Sequence, residues 1–174
     1  MNRKLCVMAL VGILFLSIHT ANANAQDQGH AVIKNAEGKT IGTASVRDTK
    51  DGVLLIIDVR GLPEGLHAVH VHSVGKCEGP AFTSAGPHFN PMNKQHGLEN
   101  AAGPHAGDLP DVYVEKSGTG HYEVLLDRIT LGSGETSIFD ADGSAIVIHV
   151  TADDNVTDPA GNAGDRIACG VIVR

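Results

Sequence analysis

Residues 40–61 read TIGTASVRDTKDGVLLIIDVRG, two runs rich in Val, Ile and Thr on either side of Asp51-Gly52. Runs of this length and composition read as strands, and a Gly-containing break between two of them reads as the turn of an antiparallel hairpin. The pattern extends outward on both sides. Residues 31–34 form a further run ahead of Glu37-Gly38, and residues 66–72 follow Pro63-Glu64-Gly65. After a long interval come residues 112–115, 121–126, 145–150 and 167–173, again divided by glycine-rich turns. No window sustains apolar residues at a 3.6-residue repeat, so helix content is expected to be low. The prediction is an all-β protein, an eight-stranded antiparallel sandwich or barrel.

The chain has 174 residues, of which 42% are hydrophobic and 19% charged, and a net charge of −7. That length supports one globular domain and no second large one, since roughly 150 residues bury about 70% of the surface their unfolded chain exposes. The acidic balance and the lack of any basic run argue against nucleic acid and anionic membrane surfaces, which call for clustered Lys and Arg. Twenty-one glycines, with only four Phe, two Tyr and no Trp, point to many tight turns between short elements.

The first segment is set apart from the fold. Arg3 and Lys4 precede an apolar run over residues 5–18, and Ala21-Asn22-Ala23-Asn24-Ala25 offers small residues at two A-x-A positions. This reads as a secretory signal peptide over residues 1–23, or with cleavage after residue 25, leaving a single domain over residues 24–174. The apolar run is shorter than the roughly 20 residues a spanning helix needs, so no membrane span is expected in the mature form. Cleavage removes two positive charges and no negative one, which takes the net charge to −9, and it also removes Cys6. Cys77 and Cys169 then remain in a chain bound for the periplasm or the exterior, and an even pair there reads as a disulfide, with two buried thiols as the alternative.

Two stretches break the strand rhythm, residues 73–111 and, shorter, residues 151–165. Loops longer than about 12–15 residues inside a compact domain are usually functional or disordered, and Cys77 would fasten the first one down. Of ten histidines, His70 and His72 end a strand run, His88, His96 and His105 lie in the long loop, and His149 closes a later run. The two-residue spacing of His70-Val71-His72 puts both imidazoles on one face of a strand, where they can approach one metal ion. Asp108 adds a carboxylate beside His105. Six histidines and one aspartate exceed what one tetrahedral ion uses, leaving two adjacent ions or one ion with idle residues. His30 and His121 read as solvated side chains. His67 has the opposite strand parity to His70 and His72 and reads as structural.

Taken together, these strings resemble the copper–zinc superoxide dismutases: His70-Val71-His72 followed by Gly75; residues 86–91, GPHFNP; His96-Gly97; residues 105–109, HAGDL; His149 with Ala152-Asp153-Asp154; and residues 161–172, GNAGDRIACGVI. They run in the family's order over essentially the whole mature chain. The resemblance implies the family's Greek-key, immunoglobulin-like sandwich, with the two long loops as its functional ones. It also implies copper held by His70, His72, His88 and His149, and zinc held by His88, His96, His105 and Asp108, with His88 bridging. Imidazole ligands suit a copper ion that changes oxidation state, while three His and one Asp suit redox-silent zinc. Asp153 matches the family's carboxylate that accepts hydrogen bonds from one copper and one zinc histidine; on its own it would read as a turn cap.

The implied activity is dismutation of superoxide to dioxygen and hydrogen peroxide, with His88 carrying a proton. Arg166 matches the arginine beside the copper, a fixed cation for an anionic substrate; on bare sequence it reads equally as a surface cation. The distribution around Cys77 resembles bacterial periplasmic members. The loop after Asp154 is short and contains no Lys, so Arg166, Lys94 or Lys76 has to do more of the steering. Contacts between subunits differ among branches of the family, so the resemblance admits a homodimer without requiring one. The alternative is a non-enzymatic secreted metal-binding module of the same fold, zinc-only or copper-delivering. Such a module would be expected to lack a copper histidine, and all four are present.

Overall fold

A computed structural model describes residues 28–174; the segment read from the sequence as a signal peptide, and with it the boundary expected at residue 23 or 25, lies outside the described residues. Nine strands and one 3-10 turn follow in order: β1 Gln28–Asn35, β2 Thr40–Thr49, β3 Gly52–Arg60, β4 Gly65–His67, β5 Val69–His72, the turn Thr83–Ala85, β6 Val112–Val114, β7 Thr119–Leu126, β8 Ser144–His149 and β9 Arg166–Ile172. Seven form one sheet in the order β5-β8-β9-β1-β2-β3-β7, and β4 pairs with β6. Every pairing between these strands is antiparallel. No helix among the described residues is long and apolar enough to cross a membrane.

Eight strands were expected and nine are seen, because the run over residues 66–72 breaks at Ala68. Its first half joins β6, with His67 opposite Val112, and its second half joins β8. The Ala68 amide donates to the Thr151 carbonyl and its own carbonyl accepts from the His149 amide, so the chain turns a corner there without leaving its backbone unpaired. The strand parity used for His67 therefore does not run through to His70. His67 is nevertheless structural: it is buried, with its ring nitrogens 2.8 Å and 2.9 Å from the His149 and Pro63 carbonyl oxygens.

The core follows from alternation. Val53, Leu55, Ile57 and Val59 on β3 point inward, as do Ala31 and Ile33 on β1, while the residues between them are partly or fully exposed. On β2 the inward parity slips from Ile41 to Ala44, at a register shift opposite Ile33 and Lys34. Gly42 sits at this slip, and an added Cβ would collide with the Asp58 carbonyl oxygen. Residues from both edges of the sheet, Val69 and Val71 on β5 and Tyr122 and Leu126 on β7, share one core cluster, so the sheet is curled around it.

β5 and β8 are buried on both faces. Ile146 and Ile148 face the main core, and Ala145 and Val147 face the other way, where they pack with Phe82 and Ala85 of the long loop and Cys169 of β9. That loop is fastened by the Cys77–Cys169 disulfide, which bonds residues 92 positions apart. The strand face beneath the loop carries His70, His72 and His149.

Candidate metal centre

The free edge of β5 organises the site. Loop segments pair with it: Val71 N–H donates to the Gly107 carbonyl, Phe89 N–H to the Val71 carbonyl, and Gly107 N–H to the Phe89 carbonyl. These contacts set His72 opposite His88 and His70 opposite Asp108 as isolated antiparallel bridges. Gly107 is required for the approach, because a Cβ there would run into the Val71 carbonyl oxygen. Strand and loop thus bring six histidines and Asp108 together, all of them buried.

On one side lie His70, His72, His88 and His149, each offering a ring nitrogen within 4.8 Å of the others. The partners of the opposite nitrogens decide which atoms these are. His72 Nδ1 lies 2.8 Å from the Gly86 carbonyl oxygen and His149 Nδ1 lies 3.0 Å from that of Gly164; a carbonyl only accepts, so both Nδ1 atoms carry the proton. His70 Nε2 lies 2.7 Å from Asp153 Oδ2. What remains is His70 Nδ1, His72 Nε2, His88 Nε2 and His149 Nε2, four buried atoms without a hydrogen-bond partner. Buried polar atoms are rarely left unpaired, and four converging lone pairs are a ligand set for a cation. Burial also keeps these rings neutral, pulling His70 to about 3, His72 to about 2 and His149 to about 4.

On the other side, Asp108 Oδ1 lies 2.9 Å from His88 Nδ1, 3.0 Å from His96 Nδ1 and 3.2 Å from His105 Nδ1, and the His88 and His105 Nδ1 atoms are 3.4 Å apart. A tetrahedral ion with bonds of about 2.0–2.1 Å spaces its ligand atoms by about 3.3 Å, which these four separations match, although the donors that all lie within 4.8 Å of one another on this side are those of His70, His88, His96 and Asp108, without His105. His70 also approaches this side, but its Nε2 is engaged by Asp153. Asp108 Oδ2 accepts from the Gly97 and His105 amides, which turns Oδ1 toward the imidazoles. Burial opposes its charge, yet the hydrogen bonds from His88, His96 and Gly97 prevail and hold its carboxyl well below the usual range.

His88 belongs to both groups, Nδ1 in one and Nε2 in the other. Asp153 joins them a second time, with Oδ1 3.0 Å from His96 Nε2 and Oδ2 at His70. Burial alone would lower the pKa of His96, but carboxylates at both ring nitrogens raise it to about 9. Arg166 donates to the Phe82 carbonyl at 2.8 Å and to the Gly86 carbonyl at 2.9 Å, so its half-buried guanidinium is fixed beside the His72 end of the site.

Several contributors carry no signal in the sequence. Asp158 accepts the His96 amide at 2.6 Å and lies 3.9 Å from His105 Nε2. Asp111 Oδ1 accepts the Asp153 amide at 3.0 Å. Arg128 donates to the Asp108 carbonyl at 3.1 Å. Each acts on backbone or across the fold, where motif spacing is silent. His30 and His121 are exposed and outside the cluster, and His121 pairs with Asp58 across β3 and β7.

A curled antiparallel sheet carrying two overlapping buried groups of metal-ligating side chains, both of which contain His88, defines the class, a β-barrel protein with the donors for a two-metal centre. Comparison with known proteins narrows it. Residues 40–172 match the family model for copper/zinc superoxide dismutase (SODC). The chain is 47% identical over 167 residues to superoxide dismutase [Cu-Zn] 2 of Aquifex aeolicus, covering 94% of this chain and 98% of that one. It is 41% identical over 145 residues to superoxide dismutase [Cu-Zn] of Caulobacter vibrioides, covering 82% and 83%. Among solved structures, a double mutant of a SOD-like protein from Bacillus subtilis superposes with a TM-score of 0.81 at 40% identity, covering 83% of this chain and 97% of that one. The chain belongs to the copper/zinc superoxide dismutase family.

Proposed function

We propose that this chain dismutates superoxide to dioxygen and hydrogen peroxide at a copper ion held by His70, His72, His88 and His149, beside a zinc ion held by His88, His96, His105 and Asp108. The observation that carries this reading is the double engagement of His88, with Nδ1 among the three-His, one-Asp donors and Nε2 among the unpaired copper-side nitrogens. Bound copper supplies a one-electron couple, and bound zinc supplies fixed positive charge without redox chemistry. Two superoxide anions and two protons give one dioxygen and one hydrogen peroxide. His88 Nε2 is the atom that takes up and hands over one of those protons. Asp153 keeps the rings of His70 and His96 oriented, as carboxylate partners of metal-bound histidines do. Arg166 presents a cation that cannot swing away, since two carbonyl oxygens hold it, and this favours an anion next to the copper ligands.

Export by the residue 1–23 leader places the protein in the periplasm or outside the cell, where its disulfide persists. The binding-module reading is not favoured, because all four copper-side donors are present with their second nitrogens already committed. Titration of the metal-free protein with Cu(II) and Zn(II) tests the ligand assignment. One equivalent of each is expected, with copper uptake removed by His72→Ala and zinc uptake by His105→Ala. Uptake of both metals unaffected by either substitution would reject it.

A further inference from the structure

We propose that Arg128 is a positioning residue for the zinc ligand set, acting through the peptide carbonyl of Asp108. The inference rests on the zinc assignment above. Arg128 follows β7 in sequence and is twenty positions from Asp108, yet its Nη2 donates to the Asp108 carbonyl at 3.1 Å. The rest of the guanidinium is arranged around that contact. Nη1 donates to Asp127 Oδ1 at 3.1 Å, at a carboxylate side chain that is 70% exposed, and Nε is buried without a partner.

Asp108 is held from two directions. Its carboxylate is constrained entirely from within the loop, Oδ1 by three imidazoles and Oδ2 by the Gly97 and His105 amides. Loop contacts of this kind move together when the loop moves. The Arg128 hydrogen bond to its carbonyl comes instead from outside the loop, from the bend directly after β7, and adds to the pairing of residues 107–108 with β5. Tyr122, on β7, repeats the arrangement two residues on, donating from its hydroxyl to the Pro110 carbonyl at 2.9 Å. Segment 108–110 is therefore tied at its two ends to β7 and the bend that follows it, and the tie at Asp108 is the charge-assisted one, the stronger kind. A side chain that is 37% exposed adds little to the core. Its effect should therefore register at the metal, as it does for partners that orient ligands from outside, whose loss costs roughly 10–100-fold in affinity.

The test is the zinc dissociation constant of the full-length mature protein, by chelator competition, in wild type, Arg128→Gln and Arg128→Lys, with copper affinity as the internal reference. Cobalt(II) in place of zinc reports the geometry of the ligand set through its ligand-field bands. Expected are an approximately tenfold weaker zinc affinity and shifted cobalt bands in Arg128→Gln, copper affinity close to wild type, and partial recovery in Arg128→Lys. Wild-type zinc affinity and unshifted bands in Arg128→Gln would overturn the proposal. So would an equal loss at both metals accompanied by a lower melting temperature of the metal-free variant, which is the mark of a general structural role. A wild-type protein that takes up copper but no zinc would overturn the ligand assignment and the proposal with it.

Discussion

Arg166 and His72 are joined through one oxygen: the Gly86 carbonyl accepts from Arg166 Nη2 at 2.9 Å and lies 2.8 Å from His72 Nδ1. The same carbonyl thus fixes the Arg166 guanidinium and forces His72 into the tautomer that leaves Nε2 without a hydrogen-bond partner. Gly86 itself has φ +73°, and an added Cβ would press on Val74 and Ser73, so the carbonyl's direction depends on that residue being glycine.

Arg166→Gln should lower the dismutation rate about tenfold or more while leaving copper content unchanged. Metal analysis alongside steady-state superoxide consumption checks this. An unchanged rate would remove Arg166 from the site.

His149→Ala should abolish activity and copper retention but leave zinc binding and the fold largely intact. His149 belongs only to the copper-side group, and of the zinc donors His88 alone shares that group with it. Loss of folding, read by circular dichroism, would count against this division of the ligands.

Gly161 lies against the Asp153 carboxylate and His96 Nε2, and a Cβ at that position, with φ +62°, would be driven into both. Gly161→Ala should therefore cost about 1–3 kcal/mol and weaken zinc, since Asp153 could no longer reach His96. Chemical denaturation and zinc competition together give the two readouts.

The two metals should differ in pH dependence. Copper meets rings already neutral above pH 5, because burial pulls His70 and His149 to about 3 and 4, so its affinity should change little between pH 6 and 8. In the metal-free protein His96 holds a proton up to about pH 9, so zinc must displace it, and affinity should rise about tenfold per pH unit below that value. The stability of the metal-free fold follows the same signs. The lowered pKa values mean the unfolded chain binds more protons between about pH 4 and 6.5, so their contribution makes stability rise with pH there, whereas the His96 contribution is present below pH 6.5 and lost as pH rises through about 9. Competition titrations at pH 6, 7 and 8 separate the two metals, and a steeper slope for copper than for zinc would contradict the assignment.

Among the described residues, the groove that reaches His88 and His105 is lined by Glu135, Asp140, Asp142 and Asp158 against Lys94 alone. An anion meets net repulsion in this groove, which holds none of His70, His72, His149 or Arg166; with a net charge of −7 on the chain as a whole, raising ionic strength from 10 to 200 mM should increase the rate by screening. A rate that falls with salt would show that Arg166 or another cation dominates the approach.

Strands and ligands were legible for different reasons. Alternation on β1 and β3 reflects one face in the core and one in water, which sequence records directly. The break at Ala68 was not legible, because both halves of residues 66–72 are β-forming and only tertiary pairing with β6 and β8 divides them. The histidines were legible because metal chemistry demands a residue type at fixed places, and Asp153 only because a family pattern marks it. Asp111, Asp158 and Arg128 escaped because they hold backbone amides or carbonyls, a task many side chains can perform from many positions. The sequence shows that the loop after Asp154 lacks Lys, but not which side chains line the groove at His88 and His105. The carboxylates that line the groove come partly from residues 135–142, which sequence order places far from the site.

The most direct test of the central claim is the decay of superoxide in the presence of catalytic amounts of protein loaded with one copper and one zinc. The account predicts decay through many turnovers per chain with dioxygen and hydrogen peroxide formed in equal amounts, and none of this with the metal-free protein. Both metals bound at full occupancy, with superoxide decaying at its uncatalysed rate, would contradict it.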